Sequence, residues 1–204
     1  MIKMNHKVTN VTELHEAAIA LYNNAVVADA DSILDNLNSG IESLKNNWKG
    51  KDAGVQIQST IEVYNAMVAI RNALAEFAVE SSKVAANYRE IQNSNGAGLD
   101  ALNVLSFDAK TTLSSYDDVQ DTIDINQEAA QGRTSIQNAR DAISGFMSDA
   151  ETCYDNIRNI WTAGPGLDSA DSAFTEFKNS ASSYQQVLTD VSDNISTALT
   201  NYLI

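Results

Sequence analysis

Carboxylates are the side chains this sequence sets closest together. Asp29-Ala30-Asp31 with Asp35 begins like a calcium loop, where alternating carboxylates converge on one ion. Leu34, however, stands where that loop needs glycine, and Gly40 where it needs a bidentate glutamate. These aspartates therefore read as a solvated helix face. Asp117, Asp118, Asp121 and Asp124 form a second acidic group, expected near the start of a helix whose dipole favours negative charge. No metal is read there. His6 and His15 have no cysteine or second histidine at ligand spacing and are expected at the surface. The lone cysteine, Cys153, falls on an apolar helical stripe and reads as a buried, inert thiol, which leaves no disulfide framework or cysteine-based zinc site. Neither histidine belongs to a nucleophile motif, and Gly-x-Ser-x-Gly and phosphate-binding glycine loops are missing. Without a pocket signal, carboxylate pairs on helices this acidic carry no acid-base inference. The expectation is a protein that is not an enzyme and uses no cofactor and no metal.

Composition narrows the partners. The chain has 204 residues, enough for one large domain or two small ones, with 27 acidic against 13 basic residues and a net charge of −14. Such a field repels phosphate backbones and anionic bilayers, so nucleic acid is not expected as a partner. It favours solubility and suits a protein that leaves the cell or pairs with a basic partner. The N-terminal Met1-Ile2-Lys3-Met4-Asn5-His6-Lys7 is basic, but no apolar run of signal-peptide length follows it. No stretch has the apolar length of a membrane span.

With one proline and nine glycines, the chain lacks the punctuation for many turns, so few long elements are expected. Leu14, Ala18, Leu21, Ala25 and Ala28, then Leu34, Leu37, Ile41, Leu44 and Trp48, alternate steps of three and four, with one phase slip in Asp29-Ala30-Asp31-Ser32-Ile33. The pattern predicts a helix of roughly 50 Å from Thr12 to Asn47. A turn follows at Trp48-Lys49-Gly50-Lys51-Asp52-Ala53, with Asp52 as a candidate cap. A second seam runs through Ile57, Ile61, Tyr64, Val68, Leu74, Ala78, Ser81, Val84, Tyr88 and Ile91, where Arg71 must snorkel or meet a carboxylate. Asn93-Ser94-Asn95-Gly96-Ala97-Gly98 marks the best internal boundary.

Beyond a less regular stretch with Leu99, Leu102, Leu105, Phe107 and Leu113, periodicity returns from Val119 and Ile123 through Ala130, Ile136, Ala139, Ile143, Phe146, Ala150, Cys153, Ile157 and Trp161. Gly132 and Gly145 lie within this helix, as bends or close helix contacts. Trp161-Thr162-Ala163-Gly164-Pro165-Gly166 is a strong stop, and Asp168 or Ser169 can cap a fourth helix with seam Phe174, Phe177, Ala181, Tyr184, Leu188, Val191, Ile195, Ala198 and Tyr202. A slide of 113 residues lays Trp48 on Trp161, Leu44 on Ile157 and Leu37 on Ala150. The expected fold is all-α: two long antiparallel helical hairpins packing as a four-helix bundle within one chain. The first hairpin occupies residues 1–95, a linker or short helix 96–118, and the second hairpin 119–204.

The corner Trp48-Lys49-Gly50, between two helices of roughly forty residues in an acidic, cysteine-poor chain without a signal peptide, resembles the WXG superfamily of helical hairpins linked to type VII secretion. The first half matches that plan throughout. The second departs from it, because Thr162 and Ala163 place Gly164 one residue late. The resemblance implies binding without catalysis, as a secreted substrate or as an escort of a larger effector. It also implies secretion machinery or a co-secreted effector as partner, and a cytoplasmic stage before export to the exterior or the cell surface by a route without a cleaved signal. Trp48, Gly50, Trp161 and Gly164 would be the turn and interaction motif, the tryptophans packing the corners, touching the machinery, or both. The family's Tyr-x-x-x-Asp/Glu export signal is not found: Gln92 follows Tyr88 at that spacing, Arg158 follows Tyr154 and Leu188 follows Tyr184. Two fused hairpins imply a monomer built as an internal pseudo-dimer, with a homodimer as the other arrangement. A structural or pore-forming bundle acting at membranes is the alternative class, disfavoured by narrow, alanine-rich stripes that give no stable membrane insertion.

Overall fold

A computed structural model describes residues 7–164 and 167–203, apart from the Ser169 side chain. Four helical rods form where the apolar steps of three and four predict them. The first comprises α1 (Val11–Ala20), a π-helical segment (Leu21–Ala30) and α2 (Asp31–Asn47); the others are α3 (Lys51–Ser94), α4 (Ala129–Ile160) and α5 (Leu167–Tyr202). Four very short strands, β1 (Lys7–Val8), β2 (Trp48–Lys49), β3 (Asp124–Ile125) and β4 (Trp161–Ala163), sit at the two corners and just before α1 and α4.

The strands show how the hairpins meet. β2, the first corner, pairs antiparallel with β3, which leads into α4; β4, the second corner, pairs antiparallel with β1, which leads into α1. Each hairpin is thus tied at its corner to the entry of the other, and the corners lie at opposite ends of the bundle. Around the bundle, α2 packs on α3 and α4, and α5 packs on both α3 and α4. The protein is an all-α four-helix bundle in one chain.

The core is the sum of the stripes. Leu14, Leu21, Leu37, Ile41 and Leu44 of the first rod face Ile57 and Ile61 of α3, Ile136, Ile143 and Ile157 of α4, and Leu188 and Ile195 of α5, all buried. Burying each such side chain contributes about 1.5–3 kcal/mol. A two-helix hairpin has no second layer to cover its stripe, so each hairpin depends on the other for this term. Arg71, at an apolar position of α3, meets a carboxylate: it forms a two-pronged ion pair with Asp31 at 3.0 and 3.3 Å and is only 4% exposed.

The phase slip in the first rod has a geometric cause. Forty residues separate Val8 from Trp48, and thirty-six separate Ile125 from Trp161, although both intervals run between the same two strand pairs. The first rod takes up its extra residues by π winding, whose i→i+5 hydrogen bonds place more residues in each turn. The Asp31 N–H accordingly bonds the Val26 carbonyl. This winding moves the seam off Ala28, which is exposed, and onto Val26 and Ala30, which are buried.

Other expectations are corrected at the helix ends. Helix α4 begins at Ala129, ten residues beyond Val119; Val119 and Ile123 are exposed and belong to an extended connector. Ile91 of α3 and Tyr202 of α5 are exposed at rod ends. Asp52 and Asp168 lie inside the first turns of α3 and α5 and are not N-caps. His6, Pro165, Gly166 and the Ser169 side chain fall outside the described residues.

Of the two glycines within α4, only Gly132 marks a close contact. A Cβ there would lie 3.1 Å from the Gly40 carbonyl oxygen of α2, and a Cβ on Gly40 would lie 2.7 Å from Ile136 Cγ1. Gly145 faces open space, with nothing within 4 Å of its would-be Cβ. Gly145→Ala should therefore raise the unfolding free energy by about 1 kcal/mol through helix propensity. Gly40→Ala should lower it by about 1–3 kcal/mol through overpacking. Thermal or urea unfolding of the two variants checks both signs.

Candidate functional site

The four motif residues occupy the corners, and both indoles are buried: Trp48 is 2% exposed and Trp161 0%. Each closes one end of the core. Trp161 stacks on Phe77 of α3, with ring centroids 6.1 Å apart and planes 10° from parallel, and its Nε1 donates to the Ala163 carbonyl at 3.0 Å. The Trp48 Nε1 is buried without a hydrogen-bond partner. Both rings are covered by the chain's own residues. Thr162 and Ala163, which delay Gly164, lengthen the corner strand: β4 has three residues where β2 has two.

Gly50 does more than turn the chain. Its φ of +112° is one that side-chain-bearing residues rarely adopt. A Cβ on it would lie 1.9 Å from the Thr122 carbonyl oxygen. The connector between hairpins passes directly over this residue and over Gly54 one turn later, where a Cβ would lie 2.8 Å from the Asp118 backbone nitrogen. Trp-x-Gly here is a crossing point as well as a corner.

That connector is the segment expected at 96–118 as a linker or short helix, and it is an extended linker. From Ala97 to Ile123 the chain has no helix; it runs back along the length of α3, from the α3 C-terminus to the first corner. We call it the strap. Side chains of α3 hold its main chain. Asn93 pairs with Leu99, Asn72 with Lys110 and Asn65 with Leu113, each amide donating to the carbonyl and accepting from the N–H of the same residue at 2.7–3.0 Å. Gln58 Oε1 accepts from the Tyr116 N–H at 2.9 Å, and Ser82 Oγ from the Leu105 N–H at 2.9 Å. Two buried arginines add charge-assisted bonds, Arg71 to the Asp108 carbonyl and Arg89 to the Asp100 carbonyl at 2.8 and 2.7 Å. His15, expected at the surface, is half-buried, and its Nε2 lies 2.7 Å from the Asn103 carbonyl oxygen.

The acidic group is redistributed by the same geometry. Asp118 is buried, and its Oδ2 accepts from the Gly50 N–H at 3.0 Å while Oδ1 accepts from the Gln120 N–H at 3.1 Å. It serves the positive end of a helix dipole, but of α3, with the strap delivering it. Hydrogen bonds from Gly50 and Gln120 hold its carboxyl below the ordinary range. Asp29 is opposite in sign: burial and the neighbouring Asp149 push its carboxyl up, and its Oδ2 is buried without a partner. Cys153 is buried nearby, its thiol also pushed up by burial and by these two aspartates.

Among the described residues, no three or more His, Cys, Asp or Glu are grouped so as to hold a metal ion. An open groove of about 690 Å³ lies where the strap meets the start of α3, lined by Val55, Gln58, Tyr116, Asp117 and Val119 among others. Protein-family models, curated proteins and solved structures yield no match to this chain.

The two shifted aspartates predict opposite pH effects. Asp118 titrates below its unfolded value, so its contribution is present above the unfolded pKa and lost as pH falls through the folded one. Asp118→Asn should lower the melting temperature at pH 7, and the gap to the unaltered chain should close on acidification. Asp29 titrates above its unfolded value, so it stabilises at low pH and that contribution is lost as pH rises through the folded pKa. Asp29→Asn should raise the melting temperature at pH 7. Melting curves from pH 3 to 7 test both.

Proposed function

We propose that the chain is a tandem member of the WXG superfamily. It acts by protein–protein binding in type VII secretion, as a secreted substrate or as the escort of a larger effector. The observation that carries this proposal is the reciprocal corner pairing: a Trp-Lys-Gly hairpin is covered along its whole stripe by a second hairpin, end to end and antiparallel. A fused pair of this kind needs no second copy to hide its core, which leaves the outer faces of the rods for a partner. With the indoles buried, recognition falls to the acidic rod surfaces and the strap side of the bundle.

No helix among the described residues is long and apolar enough to cross a membrane, and the apolar stripes face one another. Both observations favour binding over a pore-forming role. The lack of Tyr-x-x-x-Asp/Glu after Tyr88, Tyr154 and Tyr184 favours export in company, with the signal carried by the partner.

Secretion assays in a host with and without the type VII ATPase test the proposal. Export of this chain, or of an effector encoded beside it, should disappear without the ATPase. Export unchanged for both proteins would count against it.

A further inference from the structure

The strap meets α3 through two repeats that run in step. Gln58, Asn65 and Asn72 recur every seven residues, and they bind Tyr116, Leu113 and Lys110, which recur every three in the opposite direction. Seven helical residues advance about 10.5 Å, and three extended residues about 10 Å. The two rulers therefore stay in step. The amides read N–H and carbonyl groups, which every residue except proline carries, so they fix direction and register without choosing side chains.

Choice comes from the other contacts. Exposure along the strap follows one residue in, two out: Leu102 and Leu105, then after a one-residue slip Phe107, Lys110, Leu113 and Tyr116 face the bundle, and the residues between are exposed. The inward apolar residues pack on the core. Lys45 lies 5.6 Å from the centre of the Tyr116 ring, and Arg71 5.9 Å from that of Phe107. The strap is bound as an extended peptide is bound by a receptor, with main-chain hydrogen bonds for affinity and spaced pockets for side chains.

We propose that this face of α3 is a binding site for an extended polypeptide with one inward, mostly apolar side chain in every three residues. Residues 99–118 are its resident occupant, exchangeable for a separate segment of the same pattern. Three features set the strap apart from the core beneath it. From residue 99 to 117 it makes no backbone–backbone hydrogen bond with the described residues, which hold its main chain by their side chains. Two of every three of its residues are exposed, the condition for low local stability. It leaves α3 through Gly96 and Gly98, at φ of +88° and +62° in open space, so the chain can swing there without a clash. The site does not depend on export, and its failure would leave the secretion proposal untouched.

The test uses the full chain carrying Leu105→Asp and Leu113→Asp, which loosen the resident strap, and a fluorescent peptide of residues 99–118. By anisotropy the variant should bind the peptide at least tenfold more tightly than the unaltered chain does. Adding Asn65→Ala and Asn72→Ala should weaken that binding at least tenfold, and a peptide with its apolar residues made consecutive should not bind. A folded variant that fails to bind the peptide overturns the proposal. If the variant does not fold, hydrogen exchange on the unaltered chain decides: the Leu105, Lys110, Leu113 and Tyr116 amides should exchange at least tenfold faster than buried amides of α3. Exchange of both sets together, through global unfolding alone, would show a permanent structural strand and overturn the proposal.

Discussion

A two-helix hairpin cannot bury its own apolar stripe, and the rest of this structure follows from how that is solved within a single chain. The second hairpin covers the first antiparallel, corner opposite corner, so that Trp48 seals one end of the core and Trp161 the other. Antiparallel cover has a topological consequence. Helix α3 ends at one end of the bundle while α4 must start at the other, beside Trp48. The chain has to travel the full length between them, and extended backbone covers that distance with fewer than half the residues a helix needs.

A connector that long cannot lie on a helix with its polar groups unanswered, because buried N–H and C=O groups without partners are costly. The protein answers them with amide side chains on α3, which imitate the edge of a strand, and with Arg71 and Arg89 where the burial is deepest. Arg71 links three layers, since it also pairs with Asp31 at the start of α2. Losing one partner of so buried a pair costs about 3–5 kcal/mol. The close crossing at Gly50 and Gly54 and the carboxylate of Asp118 finish the path at the first corner.

Much of this was legible in the sequence, because burial on a helix leaves a period. The seams of α2, α4 and α5 read correctly, from Leu34 to Leu44, Ile136 to Ile157 and Phe174 to Ala198. The carboxylate partner of Arg71 was foreseeable from the same logic. The strap was legible as a connector but not in its register on α3, because a one-in, two-out pattern matches neither helix nor strand, and Val119 and Ile123 fell by chance in the phase of the following helix. Its receptors, Gln58, Asn65 and Asn72, are polar residues off the apolar seam of α3, and their seven-residue spacing was the available signal. Ala28 was misplaced because π winding shifts the seam, which the surplus residues between Val8 and Trp48 reveal only once the pairing is known. The chain reverses at both tryptophan corners, and both indoles lie in the interior.

The most direct test is a cross-link at the first corner, where Lys49 lies opposite Asp124. The chain would carry Lys49→Cys and Asp124→Cys, with Cys153→Ala to remove the native thiol, and be oxidised at high dilution. Internal pairing predicts a disulfide within one chain, at the monomer mass of 22.0 kDa, closing the loop that contains α3 and the strap. A cross-linked species of twice that mass, or no cross-link from a folded chain, would contradict it.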